Sequence, residues 1–467
     1  MFSDQDFFKN RVTNSYDSIM KNQQSRKEFL KTIAKLGIFS SGLAISGGFN
    51  PTESKQLKKQ KPDSESQTDE SADDANVKLS LPTKIKSVVF VYMAGGMSHI
   101  DTLDPKKGNS IFNSISSSIG GANVTEVFQR SAKELKHLNL IRSVWSEEGA
   151  HEQANFLHHT GHRMMSGFKD LPSFGSVISY AKRKPGPYFP GHITIFNRPD
   201  MSGRSGFLGP EFSSFHISNI NQPVSHTRPS HGWFTEERFS RREDYLEILN
   251  TEFSKKNQSE AVGVWEKMSK AAIEFMNSEN LSAFDYQQEN DSIKKLFGDS
   301  NAAKAFLLIK RLCEKEVPFI QISFGGFDNH QNLRSELTKN LRDFDPAFAN
   351  FLALLRSSGL LSQTLVVLSS EFGRTSNLSH QGDGRDHLPR CWTAIVGGGD
   401  MPKGQVIGET DEKGEKILKD PIHVRDLVAT VYKAAGVDHE AKLPTPSGRP
   451  FPLAPDAYPI KKLVGES

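Results

Sequence analysis

Residues 364–389 read TLVVLSSEFGRTSNLSHQGDGRDHLP, and the break inside that stretch decides how the rest of the chain is understood. Leu365 to Leu368 is an unbroken apolar run rich in β-branched side chains, the pattern of a strand buried on both faces. It halts at Ser369-Ser370-Glu371. Gly373, Gly382 and Gly384 then punctuate a polar segment carrying Glu371, Arg374, Asp383, Arg385, Asp386 and His387. In open α/β sheets ligands sit beyond the carboxyl ends of the strands, so chemistry is expected in this segment. The competing, blander reading is a solvated loop with a charged tip.

Outward from that stretch, the same design recurs. Lys86 to Met93 (KSVVFVYM) reads as a buried strand and runs into Gly95-Gly96, with Ser98, His99 and Asp101 directly after. Val317 to Phe324 reads as another strand and ends in Gly325-Gly326-Phe327-Asp328-Asn329-His330. Paired glycines at a strand end let the backbone turn tightly and approach a ligand. Asp328 and His330 are oxygen and nitrogen donors of the kind that hold divalent zinc or manganese. A shorter strand, Leu140 to Val144, precedes a segment with four of the fifteen histidines (151, 158, 159 and 162). Helical spacing there puts His151, Asn155, His158 and His159 on neighbouring turns, and Gly161 closes the helix. His151, at the helix start, is the site candidate, whereas His158 and His159 read equally well as packing residues.

The remaining pattern alternates. Helices are expected over 132–141, 172–181, 302–315, 345–355 and 424–435, and strands over 192–196 and 392–396. Residues 198–229 are rich in Gly, Ser, Pro and Asn without a clear period. Residues 236–290 are helical and charged, and are expected as an insert at the sheet's edge or over its mouth. Strand and helix in alternation predict an α/β fold: a doubly wound, mostly parallel sheet with helices on both faces, plus a helical insert at about 198–300.

Bulk properties exclude several classes. The 467 residues carry a net charge of only +3, which gives no nucleic-acid surface. Cys313 and Cys391 are the only cysteines, so a disulfide framework and thiolate metal clusters are excluded. No apolar run has the length of a transmembrane helix. Phosphate-loop and dinucleotide fingerprints are missing, and so is the G-x-S-x-G elbow of α/β-hydrolases. At the start, Ser25-Arg26-Lys27-Glu28-Phe29-Leu30-Lys31 precedes a moderately apolar stretch from Thr32 to Ile45, the layout of an export signal. The expected division is therefore an export-signal region at 1–50, a disordered polar linker at 51–83, and an α/β domain at 84–460.

These motifs together resemble a large secreted bacterial family of unknown function, grouped with the alkaline phosphatase and sulfatase superfamily. Its members carry a G-G-x-S-H-x-D-T-x-D-P-K element, matched at Gly95 to Lys106. They also carry G-G-W-D-T-H, matched at Gly325 to His330 with Phe327 for Trp and Asn329 for Thr. An S-E-F-G-R-T…G-R-D-H-x-P element is matched at Ser370 to Thr375 and Gly384 to Pro389. The match spans about residues 86 to 440. The start of the chain is similar to a twin-arginine signal, with Lys27 in place of the second arginine.

The resemblance implies an alkaline phosphatase-like fold, export to the periplasm or beyond by the export machinery, and a divalent metal ion (zinc, manganese or calcium). It implies Asp328, His330 and His387 around one ion. Glu371, Asp101 and Asp386 are then further metal ligands, with Glu371 also a candidate base. Ser98, Asn155, Arg374 and Arg385 are implied on the substrate side. His151 falls where the superfamily has its nucleophile, Phe372 where it has a histidine, and Gly95 where it has an aspartate. His151 is a candidate ligand, general acid or nucleophile, and Arg374 joins it and Glu371 as a catalytic candidate. The implied activity is hydrolysis of a phosphate or sulfate ester of a small molecule or glycan. The alternative is a secreted binding or scaffold protein that keeps the fold and one ion.

Overall fold

The structure is a computed structural model that describes residues 79–164, 170–184, 188–196, 202–224, 236–257, 259–379 and 382–465. The expected export signal and the expected linker up to residue 78 lie outside these residues. Two compact units are distinguished. The described part of the smaller one, within Val224–Met276, consists of two helices, Glu236–Lys256 and Glu260–Met276. Ser254 Oγ donates to Glu266 across that pair at 2.9 Å.

The larger unit, Asn76–Pro223 with Asn277–Ser467, is built on a nine-stranded sheet. In chain order its strands are β1 (Ser87–Met93), β2 (Asn139–Trp145), β3 (His192–Phe196), β4 (Phe215–Ile217), β5 (Phe319–Phe324), β6 (Thr364–Ser369), β7 (Trp392–Gly397), β8 (Val406–Ile407) and β9 (Ile422–His423). Side by side they lie in the order β8-β2-β7-β6-β1-β5-β3-β4, with β9 also on β2. Every pairing is parallel except those of β7, which runs antiparallel to β6 and to β2. The mixed, mostly parallel α/β sheet expected from the alternation is what the chain forms.

Direction is what matters for a site. β1, β2, β5 and β6 all point the same way, so the segments that follow Met93, Trp145, Phe324 and Ser369 emerge at one rim. β7 runs the other way, so the chain enters it from that same rim and brings residues 385–391 there. Five segments of distant sequence number thus meet at one edge of the sheet.

Alternation along the strands divides the core. Phe90 and Phe319 face the helices α1 (His151–Thr160) and α2 (Phe174–Ala181), where their rings meet those of His158, His159 and Phe174. Phe324, on the opposite face, meets Phe306 of α3 (Asn301–Glu314) and Phe344 of α4 (Leu333–Ser357). A further helix, α5 (Val424–Ala434), begins with a capping box between His423 and Asp426. Both faces are therefore covered. No helix among the described residues is long and apolar enough to cross a membrane.

Three expectations are corrected. Residues 132–141 do not form a helix: single 3-10 turns at Ser131–Lys133 and Leu135–His137 lead into β2. The Asp345 carboxylate takes the backbone N–H groups of Arg130 and Ser131 at 2.7 and 2.8 Å, so a side chain of α4 fixes the chain at the start of these turns. The helix expected over 345–355 runs from Leu333 to Ser357, through Pro346. Buried Leu333, Leu337, Leu341, Phe344, Phe348 and Phe351, all on one face, outweigh the backbone bond that the proline removes. Finally, packing begins before residue 84. Leu79 is buried, and Leu81 N–H and Thr83 Oγ1 donate to the carbonyls of Gly436 and Ala434.

Candidate metal centre

The polar segment after β6 is not a free loop. Gly373–Arg374 pairs antiparallel with His387–Leu388, His387 opposite Arg374, which returns His387 to the sheet's rim. Gly384 makes this return possible, because a Cβ there would lie 1.8 Å from the His330 carbonyl carbon. Gly95 plays the same part after β1. Its φ is +114°, and a Cβ would meet the Asp328 backbone nitrogen at 2.5 Å. The two strand ends can approach this closely only because those positions have no side chain.

At the rim, Asp328 is the hub. Its Oδ1 lies 3.1 Å from His330 Nε2 and 3.3 Å from His387 Nε2, and its Oδ2 lies 3.3 Å from His151 Nε2. The two nitrogens His330 Nε2 and His387 Nε2 are 3.1 Å apart. One ligand atom each from His151, Asp328 and His387 falls within 4.8 Å of the others.

The tautomers follow from the outer partners. His387 Nδ1 is 2.8 Å from the Gly149 carbonyl, which only accepts, so Nδ1 carries the proton. His330 Nδ1 is 3.0 Å from the Asp386 carboxylate, and His151 Nδ1 is 2.9 Å from Glu371 Oε1, with the same result. In their neutral forms all three imidazoles therefore aim Nε2 lone pairs inward, beside a carboxylate. The Arg374 guanidinium, 2.6 Å from Asp328 Oδ1 and 3.5 Å from His330 Nε2, offsets part of the repulsion in this convergence, and a bound cation would offset the rest. A tetrahedral site with bonds of about 2.0–2.2 Å would set neighbouring ligand atoms roughly 3.5 Å apart, close to the spacings here. The residues present fit a divalent ion.

Charge supports the same reading. Burial works to raise the Asp328 carboxyl, but the Arg374 guanidinium and the His387 hydrogen bond outweigh it and hold it at about 2. Burial, joined by the nearby Arg374 charge, lowers His387, which favours the neutral imidazole that a metal needs. His151 is raised, chiefly by its hydrogen bond to Glu371, so without an ion its imidazolium is favoured, and a bound ion has to displace that proton. The Phe372 ring packs against both His387 and His151, at centroid distances of 4.3 and 4.9 Å, and walls the cluster on one side.

The other expected site residues are placed differently. Arg374 is fully buried. It donates to the carbonyls of Gly96 (2.8 Å), Arg385 (2.8 Å), Gly95 and Phe327, and to Asp328 Oδ1 at 2.6 Å. It ties three strand ends together and steadies Asp328, with no N–H left pointing outward for a substrate. Arg385 and Asp101 form a buried ion pair at 2.7 Å, in which Asp101 also accepts from Ser98 Oγ at 2.5 Å and Ile111 N–H at 2.9 Å. Arg385 gives its remaining donors to the carbonyls of Thr375, Ser376 and Asn109. The structure thus corrects the expectation of Asp101 as a metal ligand and of Ser98 and Arg385 as substrate contacts, because their polar groups are bonded to one another. Asp386 stands behind His330, and Asn155 meets the Tyr92 hydroxyl.

The sequence profile of a family described as protein of unknown function, DUF1501, matches residues 85–464. The chain belongs to the DUF1501 family. No curated protein sequence matches it. Among solved structures, it is similar to the phosphonate monoester hydrolase SpPMH from Silicibacter pomeroyi, at 12% identity and TM-score 0.39, over 82% of this chain and 77% of the other. It is also similar to the PsFucS1 sulfatase from Pseudoalteromonas sp. (12% identity, TM-score 0.36, 78% and 69% covered). A third is a protein in the alkaline phosphatase superfamily from Vibrio parahaemolyticus (11% identity, TM-score 0.35, 77% and 70% covered). Likeness of this degree says nothing of substrate or reaction.

Two groups in this DUF1501 chain escaped the sequence. Tyr92 lies within β1, and its hydroxyl reaches Glu371 Oε2 at 3.0 Å. The one available signal was its position as the only hydroxyl-bearing aromatic near that strand's end. The Gly149 carbonyl, which orients His387, is a backbone group and has no residue-type signal at all.

Proposed function

We propose that this protein is an exported, metal-dependent hydrolase of a phosphate or sulfate ester. The observation that carries the reading is the convergence of three imidazole Nε2 lone pairs on the Asp328 carboxylate at the carboxyl rim of the sheet. Asp328, His330, His387 and His151 would hold the ion, with Asp386, Gly149 and Glu371 behind the three imidazoles. A divalent ion bound there supplies Lewis-acid polarisation of the ester oxygen and acidifies water.

The chain's own residues do the rest. Arg374 keeps Asp328 ionised and holds the ends of β1, β5 and β6 in register with the cluster. The side chain of Asp328 remains 48% exposed, so the rim is open to a substrate from solvent. Nearby hydroxyls are all engaged: Ser98 with Asp101, Ser370 with the Met93 carbonyl at 2.6 Å, and Thr375 with the Asn377 carbonyl at 3.1 Å. Water is therefore the nucleophile that the geometry favours over an attacking serine or threonine.

The lack of a free hydroxyl at the start of α1 also supports the second reading, a binding protein with one ion and no turnover. The test is hydrolysis of a panel of aryl phosphate, phosphonate and sulfate esters with added Zn²⁺ or Mn²⁺, comparing wild type with Asp328→Ala and His387→Ala. The proposal expects turnover of at least one ester class, falling by about 10²–10⁴-fold in either variant. Inactivity across the panel with the ion bound would favour the binding reading.

A further inference from the structure

Glu371 has the residue type and the position of a metal ligand, yet its carboxylate is almost wholly enclosed, at 2% exposure. Oε1 accepts from the Gly95 N–H at 2.8 Å and from His151 Nδ1 at 2.9 Å. Oε2 lies 3.0 Å from the Tyr92 hydroxyl and 3.2 Å from Ser370 Oγ. The Ser370 proton goes to the closer Met93 carbonyl at 2.6 Å, so Tyr92 is the firm donor to Oε2. Tyr92 has one proton and two neighbours, Glu371 and the Asn155 side-chain amide. The structure places Asn155 Oδ1 against the hydroxyl; with the phenol proton on Glu371 instead, the amide is turned so that its nitrogen faces the phenol oxygen. The chain of donors then runs from Asn155 to Tyr92 to Glu371, and His151 donates to the same carboxylate from the other side.

His151 is the terminus of this chain. Its Nδ1–H is fixed on Glu371, Phe372 lies against its ring, and its Nε2 is a buried nitrogen with no hydrogen-bond partner, 3.3 Å from Asp328 Oδ2. We infer that Glu371 and Tyr92 are positioning residues: they lock His151 in the tautomer that presents its Nε2 lone pair to an ion held by Asp328 and His387, and Glu371 itself coordinates nothing. This rests on the reading of the cluster as a metal centre. It gives two buried residues a role toward the ion that the residue-type pattern does not assign to them. A carboxylate behind a ligating imidazole raises the ligand's basicity, and its loss commonly weakens metal affinity by about 10–100-fold.

The experiment has two arms on the full chain. In the first, metal-free protein labelled with ¹⁵N-histidine is examined by long-range ¹H–¹⁵N correlation at pH 8, with the His151 signals assigned by their loss in His151→Gln. The expected result is an Nδ1–H tautomer for His151 in wild type and in Glu371→Gln, whose amide oxygen can accept the same proton. In the second, Zn²⁺ affinity is measured calorimetrically and the visible spectrum of the Co²⁺ complex is recorded for wild type, Tyr92→Phe and Glu371→Gln. Glu371→Gln is expected to weaken Zn²⁺ binding by about 10–100-fold while one ion still binds and the Co²⁺ band shape is kept. Tyr92→Phe should weaken it less. A changed Co²⁺ band in Glu371→Gln would make Glu371 a ligand and overturn the inference. So would wild-type Zn²⁺ affinity in that variant, or an Nε2–H tautomer for His151 in wild type. If wild type binds no ion, the metal-centre reading fails, and the tautomer arm still decides whether His151 carries its proton on Nδ1, facing Glu371.

Discussion

At the scale of single residues, the pair Asp101–Arg385 shows how the same side-chain types serve chemistry in one place and architecture in another. Both are fully buried, and each satisfies the other together with neighbouring backbone groups. Removing one partner of such a pair leaves an uncompensated buried charge. Asp101→Ala is therefore expected to cost about 3–5 kcal/mol of folding stability, read from the urea midpoint. It should leave the number of ions bound by the folded protein unchanged, whereas an Asp101 that coordinated metal would lower it. Sequence could not separate Asp101 from Asp328, since both follow a glycine pair at a strand end. The difference is Arg385, 284 positions away in sequence from Asp101, whose partner is fixed by the return of one loop. His151 and His387 were legible as donors. That their lone pairs converge depends on Glu371, Gly149 and the Phe372 wall, which only the folded chain assembles.

Among elements, the long central strands were the most readable, because unbroken apolar runs ended by turn residues have few other interpretations, whereas the short strand β4 lies in a stretch that reads as irregular. Lys86 to Met93, His192 to Phe196 and Trp392 to Val396 all appear within a residue or so of expectation. Helices were less so. The 3-10 turns near Ala132 follow a segment pinned by Asp345, whose bonds to Arg130 and Ser131 are tertiary and leave no local signature, and the length of α4 comes from an apolar face that carries the helix through Pro346. The glycine turns carry the element-level prediction. Gly95→Ala puts a Cβ 2.5 Å from the Asp328 backbone nitrogen at a φ of +114°, so the ends of β1 and β5 must separate. Strain of about 1–3 kcal/mol is expected in the thermal midpoint, together with clearly weaker Zn²⁺ binding in calorimetry. Unaltered ion affinity would show that the close approach of these strand ends does not shape the cluster.

For the molecule as a whole, burial of histidine sets the response to acid. Burial pushes His158 down to about 3, with the neighbouring His159 adding to the effect. It likewise pushes His159 and His162 down to about 4, against hydrogen bonds to the Asn155 and Pro452 carbonyls. For a group depressed in the folded state, the stability it contributes is present above its unfolded value near 6.5 and is lost as pH falls toward the folded one. His151, raised by Glu371, acts in the opposite sense: its contribution is complete below the unfolded value and is lost as pH rises through the folded one. These three, joined by the lowered His99 and His387 and opposed by His151, predict that, in chelator, stability falls between about pH 6.5 and 4, by up to roughly 1.4 kcal/mol per pH unit for each depressed imidazole. Urea unfolding across that range checks it, and a flat profile would contradict the burial of these side chains.

The doubly wound layout was legible because alternation along 86–435 is a global pattern. The reversal of β7 was not, since an antiparallel strand between parallel ones reads the same in sequence. Yet that reversal is what returns His387 to the rim beside Asp328. Whether a cation occupies this meeting point is tested most directly by an anomalous-difference map of crystals grown with Zn²⁺, recorded on both sides of the zinc edge. The expected outcome is one peak about 2.0–2.2 Å from an Asp328 oxygen and from Nε2 of His387, with the inward nitrogens of His151 and His330 turned toward it. A map with no peak there at millimolar Zn²⁺, or with the ion held by other side chains, would contradict it.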